Sequence, residues 1–208
     1  EPNRIALSLL AQLNINLLEN LPVTLKNQFT KSELTLFKNI LEKNLNCPLT
    51  SSVGRFFDGI SSILGICHQV SFEGQAAIAL EFTTLETKTD EFYDFNLTQN
   101  TIIQWQPMLT AILEDINHNI PISLISAKFH NTLVEIIIAI AQLVGEKKVV
   151  LTGGCFQNLY LVEKAIDRLK AENFVPYWHH QIPSNDGGIS VGQIWGGIRK
   201  IPLKNSKM

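Results

Sequence analysis

The stretch Val149-Val150-Leu151-Thr152-Gly153-Gly154-Cys155-Phe156-Gln157-Asn158 constrains this chain more than any other. A short β-branched run reads as a buried strand, and Leu159, Val162, Ala165, Ile166 and Leu169 after it lie at helical spacing. The order is strand, glycine turn, helix: an α/β unit. The adjacent Gly153 and Gly154 remove side chains from the mouth of the turn, can adopt φ > 0, and let a ligand approach the main chain. The helix that follows brings free N–H groups and a positive dipole end to the same place, which suits a nucleotide. A tight βα turn whose glycines only satisfy geometry is the competing reading, because two glycines alone are weak evidence.

Around this unit the pattern is mainly helical. A helix is expected from Ile5 to Leu18, and another after Thr30, where Thr30-Lys31-Ser32-Glu33 has the form of a capping box. Pro48 breaks the pattern, which places a helical annex at 1–48 and an α/β lobe at 49–208. In that lobe Ser51 or Ser52 caps a helix carrying Phe56, Phe57, Ile60, Ile63 and Leu64 and closed by Gly65. An alanine-rich helix follows Glu73-Gly74, and further helices are expected at 105–117, 123–143 and 156–171, with a last one after the loop at 182–188. Strands are expected near 92–96, 148–152 and 174–178, joined in one mixed sheet.

Composition narrows the function classes. The 208 residues are 45% hydrophobic and 17% charged, an ordinary globular balance. A net charge of -2 with no dense basic cluster excludes the electrostatic footprint of a nucleic-acid binder. The 3 cysteines, Cys47, Cys67 and Cys155, are scattered, without a Cys-x-x-Cys, which fits a reducing cytoplasm better than a disulfide framework or zinc ribbon. The longest apolar run, 136–144, is too short to span a bilayer, and no signal-peptide pattern opens the chain. A soluble protein without a membrane partner is expected. The chain begins directly in a helical pattern, as a piece of a longer polypeptide would.

Two further stretches carry candidate chemistry. In Ser184-Asn185-Asp186-Gly187-Gly188 the carboxylate of Asp186 can cap a helix, hold a metal ion, or do both. Asp58 interrupts an apolar helical face and either emerges at its edge to accept ribose hydroxyls or sits in solvent. His179 and His180 resemble metal ligands, yet neighbouring side chains of a strand point to opposite faces, so at most one faces a site. His130, in Ala127-Lys128-Phe129-His130-Asn131, reads as a histidine at the edge of a core, and no role is assigned to it.

Taken together and in order, the segments at 48–66, 70–81, 128–136, 149–169 and 182–193 resemble the C-terminal part of the HypF carbamoyltransferases of NiFe-hydrogenase maturation. The Gly-Gly-x-Phe-Gln-Asn and Ser-Asn-Asp-Gly-Gly motifs, as a pair, carry that resemblance, which covers essentially the whole chain. It implies the C-terminal lobe of an actin-like, sugar-kinase-like ATPase fold with a ribonuclease H-like core. It also implies transfer of the carbamoyl group of carbamoyl-adenylate, made from carbamoyl phosphate and ATP, to the C-terminal cysteine of a HypE partner. By the same resemblance Gly153, Gly154 and Asn158 cradle the adenylate, Asp58 and Glu73 lie near the ribose, and Asp186 is one ligand of a divalent or trivalent metal ion. The remaining ligands are expected from histidines upstream, which would leave this segment inactive alone. Cys155 departs from the family's usual valine and reads as a buried stand-in. A non-catalytic nucleotide-binding or partner-docking module of the same fold stays open beside the enzyme, as does, more distantly, a kinase of that fold.

Overall fold

The computed structural model describes residues 1–98 and 102–199. Helix α1 (Pro2–Leu13) starts on a proline, which suits the first helical turn, and buries Ala6, Leu7, Leu9 and Leu10. It stops short of the expected Leu18 because the Asn14 side chain accepts the Asn16 N–H and opens a 3₁₀ turn, Ile15–Leu18. Helix α2 (Lys31–Glu42) has its capping box: Glu33 N–H donates to Thr30 Oγ1 at 3.2 Å and Thr30 N–H to Glu33 Oε2 at 2.8 Å.

Helix α3 (Val53–Ile63) is capped by Ser52 and closes on Gly65 at φ +78°. Gly65 N–H donates to Ser62 C=O and Ile66 N–H to Ser61 C=O, the two bonds of a Schellman end. Helices α1 and α3 pack against each other at Gly59, where a Cβ would lie 2.4 Å from Leu9 Cδ1. Within the expected annex over 1–48, α1 is buried in the common core, whereas α2 has no fully buried residue and packs Leu34, Phe37 and Leu41 half-buried against that core. We expect Gly59→Val to cost about 1–3 kcal/mol by overpacking this seam. A loss below about 0.5 kcal/mol in urea unfolding would show that α1 and α3 are not in this contact.

Helix α4 (Gln75–Phe82) follows Gly74 at φ +82°. Strands β1 (Asn96–Leu97) and β2 (Ile103–Gln104) form a short antiparallel pair before α5 (Gln106–Asn117) and the central α6 (Ile122–Val144). Strand β3 (Lys148–Leu151), helix α7 (Leu159–Ala171) and β4 (Val175–Trp178) form the α/β unit, β3 and β4 being parallel in register Lys148↔Val175 to Leu151↔Trp178. Helix α8 (Ile189–Ile198) ends the described chain, with Ile189, Ile194, Trp195 and Ile198 all exposed.

Two expectations are corrected here. The described strands form two separate two-stranded sheets rather than one mixed sheet. Residues 92–95 are not a strand, because side chains of α6 and α5 take the polar groups a neighbouring strand would have paired. Tyr93 N–H donates to Thr132 Oγ1 at 2.8 Å, Tyr93 O–H to Asp115 Oδ2 at 2.7 Å, and Asn131 Nδ2 to the carbonyls of Thr89 and Glu91. The second concerns hydrophobic length. Over its 23 residues α6 is long and apolar enough to cross a membrane, a property the run 136–144 does not reveal. It is instead the core helix, with 61% of its most apolar window buried and Ser126, His130, Asn131 and Thr132 buried among the apolar residues.

Candidate functional site

The glycine turn is open. Thr152, Gly153 and Gly154 are exposed, and a Cβ on either glycine would meet nothing within 4 Å. Gly153 sits at φ +107°, ψ 164°, a region essentially closed to other residues. Gly154 does not share that positive φ; it starts a 3₁₀ turn, Gly154–Gln157, so the conformational demand falls on Gly153 alone. The turn is tied to the second motif: Gly153 N–H donates to Ser184 C=O at 2.8 Å. In that motif Asn185 Oδ1 accepts the Gly187 N–H, and a Cβ on Gly188 would lie 2.7 Å from the Pro183 carbonyl. Only glycine leaves room for that backbone approach.

The start of α7 is not open. Leu159 and Tyr160 N–H groups donate to Glu81 Oε1 at 2.6 and 3.2 Å, and Leu161 N–H to Asn158 Oδ1 at 2.8 Å. These are the donors a helix terminus leaves for an anion, and the Glu81 carboxylate fills that role from inside the fold. The N–H groups of residues 159–161, expected free, thus all have protein acceptors. What the segment offers a ligand is the bare turn before it.

Asn158 is likewise engaged within the protein. It is buried; its Oδ1 caps α7 and its Nδ2 lies 3.0 Å from His130 Nε2. Both polar atoms of the side chain that the resemblance assigns to the adenylate thus have partners inside the protein. His130 is fully buried, and its Nδ1 lies 2.7 Å from the Ser126 carbonyl. A carbonyl only accepts, so Nδ1 carries the proton and Nε2 accepts from Asn158. Burial pushes the His130 pKa down to about 4, which keeps the ring neutral.

Asp58 faces the turn: its charge acts on the Cys155 thiol, which burial, with Asp58 second, holds above the usual cysteine range. Burial also raises the Asp58 carboxyl; Arg55 opposes the shift and Glu73 adds to it. The structure thus brings Asp58 and the glycine turn together, with the exposed Glu73 in electrostatic range. Cys155 is half-buried, less enclosed than a core filler. His179 Nε2 is 3.0 Å from Thr152 Oγ1 at the end of β3, whereas His180 stacks on Trp178 at 4.7 Å, so the two histidines do part company. Asp186 is exposed at the start of a 3₁₀ turn. Among the described residues no three His, Cys, Asp or Glu side chains come together as a metal site.

Residues 1–193 match the family described as carbamoyltransferase, Kae1-like domain, second subdomain. The chain belongs to the HypF carbamoyltransferase family. It is 45% identical over 155 residues to carbamoyltransferase HypF of Synechocystis, covering 73% of this chain and 20% of that protein. It is 33% identical over 183 residues to a probable HypF of Methanocaldococcus jannaschii, covering 86% and 23% respectively. The crystal structure of full-length HypF in its phosphate- and nucleotide-bound form superposes with a TM-score of 0.86 at 35% identity, over 97% of this chain and 27% of that one. The chain spans about a quarter of the length of its HypF relatives.

Two contacts behind the glycine turn of this HypF-family chain cannot be read from the sequence, although His130 itself stands out there. Glu81 reaches the start of α7 from 78 residues away and His130 reaches Asn158 from 28 away. No local pattern announces either contact; an asparagine followed by an amphipathic run was the one available sign, for Asn158 as an N-cap.

Proposed function

We propose that this segment is the nucleotide-facing part of a carbamoyltransferase, the C-terminal lobe of an actin-like, ribonuclease H-like ATPase fold. Carbamoyl-adenylate, formed from carbamoyl phosphate and ATP elsewhere in the longer protein, rests on the Gly153–Gly154 turn with Asp58 and Glu73 toward its ribose. The acceptor is the C-terminal cysteine of a HypE-like protein in the cytoplasm, in the route to the cyanide ligand of a NiFe hydrogenase. Its sulfur attacks the carbamoyl carbon, the bond to the adenylate oxygen breaks, and AMP leaves with the electron pair while the thiol proton passes to solvent. The observation that carries this reading is the turn itself: a Gly-only backbone, exposed and unobstructed, beside a half-buried carboxylate.

Asp186 is a candidate ligand for the family's divalent or trivalent ion, exposed where a cation can reach it. The donors among the described residues do not make a complete metal site by themselves.

The test is an ATP-analogue titration of the full-length protein. Gly153→Val places a β-branched residue in a region that costs about 1–3 kcal/mol and fills the ligand's space, so affinity falls by about tenfold or more. Asp186→Ala retains nucleotide binding and loses transfer. Unchanged affinity in Gly153→Val would reduce the turn to a structural feature.

A further inference from the structure

Resting on the reading that the glycine turn receives the nucleotide, we propose that His130 and Glu81 are positioning residues for it, holding the turn from the helical side of the fold. The turn is short, its glycines are exposed, and it is tied down by the Gly153 N–H to Ser184 C=O bond and by Phe156, half-buried against the core. At its far end Asn158 closes the 3₁₀ turn, its N–H donating to Cys155 C=O at 3.2 Å, and at once begins α7. Where Asn158 sits therefore decides where Gly153 to Gln157 lie. Its backbone hydrogen bonds reach only Cys155 C=O and Val162 N–H, both near in the chain, so they set the local turn and leave freedom in where it sits.

Two side chains from other elements remove the freedom. His130, anchored on α6 by donating Nδ1–H to Ser126 C=O, accepts the Asn158 Nδ2–H at Nε2 at 3.0 Å, inside a cage of Phe57, Phe129 and Tyr160 rings at 5.1–5.6 Å from their neighbours. Glu81, at the end of α4, holds the two N–H groups that follow Asn158. A carboxylate there does what a bound phosphate does at other helix starts, so α7 needs no ligand to complete its first turn. The consequence is a preformed turn: nucleotide binding does not have to order it. Helix α7 is itself clamped to α6, Arg168 Nε and Nη2 donating to the two oxygens of Glu135 at 2.7 and 3.1 Å.

The experiment uses the full-length protein with His130→Leu, His130→Gln, Glu81→Gln and Gly153→Val, reading nucleotide affinity, KM and kcat for carbamoyl transfer, and melting temperature. His130→Leu keeps bulk but deletes the acceptor; it raises KM for nucleotide about tenfold with kcat within about twofold, the signature of lost uniform binding. His130→Gln restores an acceptor oxygen and recovers most of the loss. Glu81→Gln, a change at a partly exposed site that leaves the core intact, raises KM about three- to tenfold by weakening a charge-assisted cap. Folded His130→Leu and Glu81→Gln proteins with unchanged KM, while Gly153→Val is impaired, would overturn the positioning role alone. Unchanged affinity in Gly153→Val as well would overturn the nucleotide reading and this proposal with it.

Discussion

Phe129→Ala lowers stability by about 3–5 kcal/mol, the loss expected for deleting a fully buried aromatic ring whose surroundings cannot collapse. Phe129 is wholly inaccessible and sits against Phe57 at 5.1 Å, Phe56 at 5.6 Å and His130 at 5.6 Å. These rings come from α3 and α6, so the cavity opens between the helices that carry Asp58 and His130. Edge-to-face pairs contribute about 0.5–1.5 kcal/mol beyond the area they bury, which places the loss toward the upper half of the range. The measurement is urea unfolding followed by aromatic circular dichroism. A loss below about 1 kcal/mol would mean that the cluster is not packed as described.

Acidification destabilises the fold through His130. Its pKa is about 4 in the folded protein, below the usual value of 6.5, because burial disfavours the charged ring. Between those values the unfolded chain binds a proton that the folded chain refuses, so stability is full above about pH 6.5 and falls as pH drops toward about 4. Complete, the loss is on the order of 3 kcal/mol, an upper figure. Among the described residues no charged group shifts the ring's titration; its neighbours are Ser126 C=O, Asn158 and the aromatic rings of Phe57, Phe129 and Tyr160. Asp58, whose carboxyl is raised by burial, acts with the opposite sign, favouring the folded state as pH falls through its own range. Asp115 is held low by hydrogen bonds from Lys128 and Tyr93, against burial, and adds to the acid loss. Comparing stability against pH for the parent and His130→Leu isolates the histidine: the variant's curve is flatter between pH 4 and 6.5. Parallel curves would show that His130 is not held neutral.

The limits of sequence reading are visible at particular residues. The capping box at Thr30–Glu33, the glycine stop at Gly65, and the helices at 53–63, 106–117 and 122–144 were legible because each follows from side chains within a few positions. The strand–turn–helix unit was legible for the same reason, as were β3 and β4. The segment 92–95 misled because alternation describes a half-buried strip without saying what pairs with it, and here α6 side chains do. At the site, Gly153 and Gly154 were read as equals, yet the backbone asks for φ > 0 only at Gly153.

What the sequence determined by itself was therefore local: where helices start and stop, where bare backbone faces out, and which residue types stand ready at that opening. The tertiary structure alone decided which donors are spent. A helix start advertises free N–H groups whatever surrounds it, but whether they meet a ligand or Glu81 depends on a chain folding back over 78 residues. Contacts of that span leave no period or motif in the sequence, since their cost is loop closure and their gain is a single well-placed carboxylate.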